Sequence, residues 1–241
     1  LVGKVIEDIV NKLDPHSVYI PASQRQSIAE NMQGNFEGIG VSFFMVRDTV
    51  SILRVLEGGP SEAAGILAGD KILIADNDTL YQKNYASERI IKILKGPSDT
   101  QVALTIFRKS KNETLKIDLK RGKVPLRSVE SYYMLADNIG YIKINRFSQT
   151  TYEEFESATK SLMASGMTKM ILDLRDNPGG YLSAAREISD TFLDKDQTIV
   201  ITQTNKGKEE RSFATGLGIF KEGDLVVLTN GQSASASEIV A

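Results

Sequence analysis

Three serines alternate with alanines in Asn230-Gly-Gln-Ser233-Ala-Ser235-Ala-Ser237-Glu238-Ile-Val-Ala241, just after the apolar run Asp224-Leu-Val-Val-Leu-Thr229. Small neighbours leave a serine hydroxyl uncrowded, and a following helix N-terminus offers backbone N–H groups to an oxyanion. That is the chemistry of a nucleophile. The sequence holds one histidine, His16, and no cysteine. A Ser-His-Asp arrangement therefore has one possible base, and a Cys-His pair has none. If the cluster is catalytic, the expected base is a lysine, and the sequence ends before one could follow on the same helix or the next strand. Ser235-Ala-Ser-Glu238 also has the spacing of a capping box, so a plain helix start weighs equally. His16, behind Pro15, reads as a structural histidine.

A second constellation is Leu172-Asp173-Leu174-Arg175-Asp176-Asn177-Pro178-Gly179-Gly180. An apolar strand runs into a tight turn whose glycines let the backbone approach a bound group. A glycine N–H here could donate to a developing oxyanion; the alternative is a strand-to-helix turn that needs positive φ. Asp173 and Arg175 alternate with Leu172 and Leu174, which suits a structural ion pair as well as a catalytic task. The third constellation is Phe36-Glu37-Gly38-Ile39-Gly40-Val41-Ser42-Phe43. Gly38 and Gly40 can turn successive N–H groups toward one anion. The strand that follows could extend its sheet with a bound peptide. A glycine-rich opening to a hairpin with no ligand is the competing reading.

Helical periodicity covers Leu1 to Leu13 and a polar stretch from Ala22 to Asn31. Short β-rich runs follow: a hairpin of 40–46 and 50–56 around Arg47-Asp48-Thr49, then strands at 71–76, 102–107 and 115–119. A short helix at 61–64 is expected to be capped by Ser61. A longer one at 86–94 places Ile90, Ile91 and Leu94 on one face, and Gly122-Lys-Val-Pro125 reads as a boundary. Beyond it, strands at 139–144, 170–174, 198–202 and 225–228 alternate with helices at 151–164 and 182–193. That pattern predicts βαβ units and a mostly parallel sheet.

Composition narrows the function. The 241 residues are 41% hydrophobic and 25% charged with a net charge of −2, and lysine and arginine are scattered among acids. A nucleic-acid partner is not expected. No apolar run reaches the roughly 18 residues of a membrane span. Absent cysteine and a single histidine exclude disulfides, thiolate sites and a histidine-rich metal site, so neither metal nor cofactor is expected. A sequence opening on Leu1 and stopping mid-pattern reads as a piece of a longer protein.

The order Gly-rich loop, hairpin, Pro60-Ser-Glu-Ala-Ala-Gly65, Gly69-Asp-Lys-Ile72 and amphipathic helix resembles a circularly permuted PDZ domain. Preceded by Leu13-Asp-Pro-His-Ser17 and followed by Asp173-Leu-Arg-Asp-Asn-Pro-Gly-Gly180 and Ser233-Ala-Ser-Ala-Ser-Glu-Ile239, it resembles the C-terminal processing (tail-specific) serine peptidases over essentially the whole sequence. The resemblance implies an N-terminal helical segment (1–34), a PDZ domain (35–122) and a C-terminally incomplete peptidase core (123–241). The fold would be α/β and α+β multidomain, with part of a βαβ, crotonase/ClpP-like core. It implies Ser235 as nucleophile, a lysine base in a following segment, and oxyanion donors at Ala236 and at Gly179 or Gly180, with Gly180 preferred. Glu238 would position. A substrate's free C-terminus would sit at Gly38, Ile39, Gly40, Val41 and Phe43 against Ile90, Ile91 and Leu94. The implied partners are tailed proteins or peptides, and the implied location is a bacterial periplasm or cell envelope. Without the lysine, the 241 residues are expected to be inactive. A non-catalytic peptide- or ligand-binding protein of the same fold is the main alternative. A chymotrypsin-like protease is weaker, since His16 precedes the PDZ-like region.

Overall fold

The computed structural model describes residues 2–10, 12–13 and 17–241; the expectations for Asp14, Pro15 and His16 lie outside the described residues. The chain divides into two compact units, one of Leu1–Gly34 with Arg127–Ala241 and one of Asn35–Leu126. The fold is mixed α/β, as the sequence indicated.

The smaller unit is built on an antiparallel sheet ordered Val41–Met45, Val50–Val55, Lys71–Ala75, Gln101–Arg108, Glu113–Lys120, with Asp78–Thr79 paired to Lys71–Ala75. Alternation drives it: Val102, Leu104 and Ile106 are buried while Gln101 and Ala103 face out, the period-2 pattern of a half-buried strand. Arg47 and Asp48 at the hairpin tip both take positive φ, which matches the strand twist. The run Gly122–Pro125 is a strand, pairing antiparallel with Asn35–Gly38. The helix Pro60–Ala63 is capped by Gly59, not Ser61, which is buried inside it. Proline at the first helical position explains the shift, since its fixed φ suits that place and its missing N–H would have had no helical partner.

In the larger unit, a four-stranded sheet is ordered Asp224–Leu228, Lys169–Asp173, Ile139–Ile144, Val129–Ala136. The first three are parallel. The edge strand Val129–Ala136, absent from the sequence reading, runs antiparallel. Thr151–Ala164 turns Phe155, Ala158, Thr159 and Leu162 inward, and Leu182–Asp190 turns in Ala184, Ala185 and Ile188. Together with Phe147, Ile142, Ile144, Met170 and Leu172 these form one core. Thr198–Gln203 does not join this sheet but pairs with Glu209–Phe213 as a separate ribbon. The intervening turn closes through Gly207, at positive φ, with Gly207 N–H on the Thr204 carbonyl, so the local partner is the cheaper one to reach. The helix Arg25–Gln33 ends on Gly34 at φ 77°. Gln149 N–H donates to the Met32 carbonyl and Arg146 to Asn31, fastening that helix end to its unit.

Arg108 falls on the buried parity of its strand and places a charge on an otherwise apolar face. It is buried because its guanidinium donates to both oxygens of buried Asp70, at 2.9 and 2.7 Å, and to the Gly65 carbonyl. Arg108→Met leaves an unpaired buried carboxylate and should destabilise the smaller unit by about 3–5 kcal/mol, read by chemical denaturation.

Candidate active site and peptide groove

At the C-terminal ends of the parallel strands, two turns of the larger unit are wired together. The first, Leu174 to Gly180, leaves strand Lys169–Asp173. The second, Asn230 to Ser235, leaves strand Asp224–Leu228. The Ser233 hydroxyl donates to the Leu174 carbonyl at 2.8 Å. The Ser237 hydroxyl, fully buried, donates to the Asn177 carbonyl at 2.9 Å. Ser235 alone of the three is exposed. Its backbone sits at φ 56°, ψ −113°, a conformation that a non-glycine residue holds only when its surroundings impose it. Its N–H donates to Glu238 Oε2 at 2.6 Å, the reach-back half of a capping box, so Glu238 fixes the start of the helix Ala236–Val240.

Asn177 joins the two turns. Its side chain is fully buried: Nδ2 donates to the Ile144 carbonyl and Oδ1 accepts the Gly179 N–H, both at 2.9 Å. Its carbonyl accepts from Ala234 N–H and the Ser237 hydroxyl. Its N–H donates to Leu174. The sequence reading gave Asn177 no role. The available signal was an asparagine in a turn just after a buried strand, where its short amide can bond nearby backbone.

The two glycines do different work. A Cβ on Gly179 would lie 2.7 Å from the Ala234 carbonyl oxygen, 2.8 Å from Ser235 Cβ and 2.9 Å from the Ala236 nitrogen, so Gly179 is the close contact with the serine turn. Gly180, at φ 147°, is backed by Phe147, onto whose carbonyl a Cβ would fall. Phe147 N–H donates to Gly179 and its carbonyl accepts from Tyr181, pinning this segment from both sides. The Gly179 N–H is spent on Asn177. Among the described residues the N–H groups of Gly180 and Ala236 have no hydrogen-bond partner.

In the smaller unit, a groove of about 370 Å³ lies between the sheet-edge strand Val41–Met45 and the helix Ser87–Leu94. Ile39, Gly40, Val41, Phe43, Ile91 and Leu94 line it, with Phe36, Ser42, Leu56, Ser87 and Lys95. Gly40 takes φ 82°. Among the described residues the N–H groups of Ile39 and Gly40 have no hydrogen-bond partner, while their carbonyls accept from Ser61 and Leu56. Two residues expected at the groove are elsewhere. Ile90 is fully buried in the core, one position round the helix from Ile91, and Gly38 is paired with Gly122 in its own strand. The one-residue step of 100° along a helix explains the first.

Among the described residues no cluster of three or more metal-ligating side chains is found, and no helix is long and apolar enough to cross a membrane.

Two stretches of the chain match known protein families. Residues 38–119 match the PDZ domain family and residues 138–241 match peptidase family S41. The chain is 35% identical over 238 residues to a protein of Staphylococcus aureus named "Probable CtpA-like serine protease", covering 97% of this chain and 46% of that one. A protein of the same name from Staphylococcus haemolyticus is also 35% identical over 238 residues, with the same shares covered. A photosystem II D1 C-terminal processing protease structure matches with 24% identity and a TM-score of 0.47, over 99% of this chain and 65% of that one. The class is a PDZ domain joined to a serine-peptidase domain. The chain carries a peptidase family S41 domain over residues 138–241, and it spans about half the length of the curated relatives it matches.

Two outcomes follow from this wiring. Asn177→Ala strands the buried Gly179 N–H and Ile144 carbonyl and should cost about 2–4 kcal/mol in a denaturant titration. Gly179→Ala drives a methyl into the Ser235 turn at a positive φ of 96°, and should lower the melting temperature read by calorimetry.

Proposed function

We propose that this chain is the tail-binding and nucleophile-bearing part of a serine endopeptidase. The observation that carries the reading is the division of labour among the serines: Ser233 and Ser237 spend their hydroxyls on buried carbonyls, while Ser235 is exposed and held in a strained backbone. Ser235 attacks a peptide carbonyl. The oxyanion takes the Ala236 and Gly180 N–H groups, which have no partner among the described residues, and Gly179 brings the glycine turn against the serine. Each such donor is worth on the order of 3 kcal/mol in the transition state. Glu238 positions the helix start and transfers no proton.

The base in this reading is a lysine of the longer protein. Lysine accepts a proton only when neutral, and burial lowers its ordinary pKa of ~10.4 toward neutrality. It takes the Ser235 proton as the hydroxyl attacks and returns it to the departing amine, leaving an acyl-enzyme that water then hydrolyses. The relatives' greater length and the family name support a larger catalytic unit.

The groove supplies selection. A substrate's C-terminal carboxylate sits on the Ile39 and Gly40 N–H groups, its last residues extend the Val41–Met45 edge, and apolar side chains enter between Phe43, Ile91 and Leu94. Substrates are therefore proteins with free apolar tails. A bacterial envelope is the location that this assignment implies.

The test uses the full-length natural protein with a substrate carrying an apolar C-terminus, in free-acid and amidated forms. Amidation removes the charge-assisted bonds and should weaken binding and cleavage at least about tenfold. Ser235→Ala should lower turnover by at least about 10³-fold with tail binding intact. The 241-residue chain alone should bind the tail without cleaving. Equal cleavage of the acid and the amide would refute tail reading, and full activity in Ser235→Ala would refute the nucleophile.

A further inference from the structure

Asp173 is a fully buried carboxylate at the C-terminal end of the central parallel strand, and the proposed mechanism does not use it. Taking an ionised carboxylate out of water is costly, and apolar residues often replace buried ion pairs without loss. What its bonds hold is therefore informative. Both oxygens are committed to one residue two positions on. Oδ1 accepts the Arg175 backbone N–H at 2.9 Å and Nε at 3.0 Å, and Oδ2 accepts Nη2 at 2.6 Å. Tyr141 on the neighbouring strand donates its hydroxyl to Oδ2 at 2.6 Å. Lys143 stands 4.0 Å from the same oxygen and donates to the Arg175 carbonyl at 3.4 Å.

Arg175 is thus held at its N–H, its guanidinium and its carbonyl. The next residue, Asp176, is left-handed at φ 63° and exchanges two hydrogen bonds with the Asn230 side chain in the serine turn. Asn177 follows, with Gly179 and Gly180 behind it.

On the serine-peptidase reading, on which this rests, we propose that Asp173 is a positioning residue: it locks Arg175 at the strand end and so sets the turn that aims the Gly180 N–H at the oxyanion. The protonation states agree with a permanent clamp. Burial alone would raise the Asp173 carboxyl, but the bonds from the Arg175 guanidinium, Tyr141 and the Arg175 N–H, with the Lys143 charge, hold it well below the usual carboxylate range. Burial, with the bond to Asp173, pushes the Tyr141 hydroxyl up to about 12, so it remains a donor. The clamp is intact above about pH 4, the ordinary range of a carboxylate, and is lost only as pH falls through the depressed value.

The experiment measures kcat and KM for a tailed peptide with the full-length natural protein, together with hydrogen exchange at the Asn177 and Gly179 amides. Asp173→Asn and Arg175→Lys should lower kcat about 10–100-fold with KM within twofold, speed exchange at those two amides, and leave tail binding unchanged; lysine keeps the charge but not the fork. Tyr141→Phe removes one bond and should lower kcat three- to tenfold, which decides the matter if Asp173→Asn does not fold. Wild-type kcat in the folded variants, or unchanged exchange, overturns the positioning role. If the wild type itself shows no Ser235-dependent cleavage, the peptidase reading fails and takes this role with it.

Discussion

The buried side chain of Asn177 is the interaction on which the larger unit's site depends. One amide bonds strand Ile139–Ile144 through the Ile144 carbonyl and the glycine turn through the Gly179 N–H, while the same residue's carbonyl takes up Ala234 and Ser237. The strand Ile139–Ile144 and the serine turn, both distant in sequence, are thereby fixed to the glycine turn through one residue. Side chains that satisfy several buried backbone groups at once are costly to disturb, because each loss strands a polar partner in a low-dielectric interior. Here that cost keeps an exposed, strained serine against a glycine that tolerates no side chain.

Strain and satisfaction are distributed unevenly, and the imbalance gives the site its chemical meaning. Ser233 and Ser237 close hydrogen bonds inward, and Phe147 closes two more on the glycine turn. Among the described residues of these two turns, Ser235 exposes its hydroxyl and the N–H groups of Gly180 and Ala236 have no hydrogen-bond partner. The smaller unit repeats the logic in another form: an apolar core, with the N–H groups of Ile39 and Gly40 without a partner among the described residues, beside an apolar groove. In the proposed mechanism, these two sets of open donors receive a developing oxyanion and a carboxylate respectively.

Much of the fold is legible in the sequence because it rests on local patterns. Alternation writes strand Gln101–Arg108, helical spacing writes Thr151–Ala164, and Gly40 and Gly179 mark positive-φ turns. Other features depend on partners distant in sequence. Val129–Ala136 is a mostly exposed edge strand, so it carries little apolar signal. Thr198–Gln203 reads like another parallel strand, yet its turn draws it into a ribbon. Ile90 and Ile91 are indistinguishable as sequence neighbours until the helix is set on its sheet. The alternating serines point to a nucleophile site, but which hydroxyls are spent emerges only once Leu174 and Asn177 face them. Asn177 and Asp173 stand in the motif as ordinary polar letters, and their number of partners is a tertiary property.

The most direct measurement is to find where the acyl group forms. Acid-quenching the full-length natural protein during turnover of a tailed ester substrate, then mapping adducts by mass spectrometry, locates the nucleophile without relying on loss of activity. The account predicts an acyl adduct on the peptide containing Ser235, absent in Ser235→Ala, with none at Ser233 or Ser237. An adduct on another residue, or turnover that persists in Ser235→Ala, would contradict it.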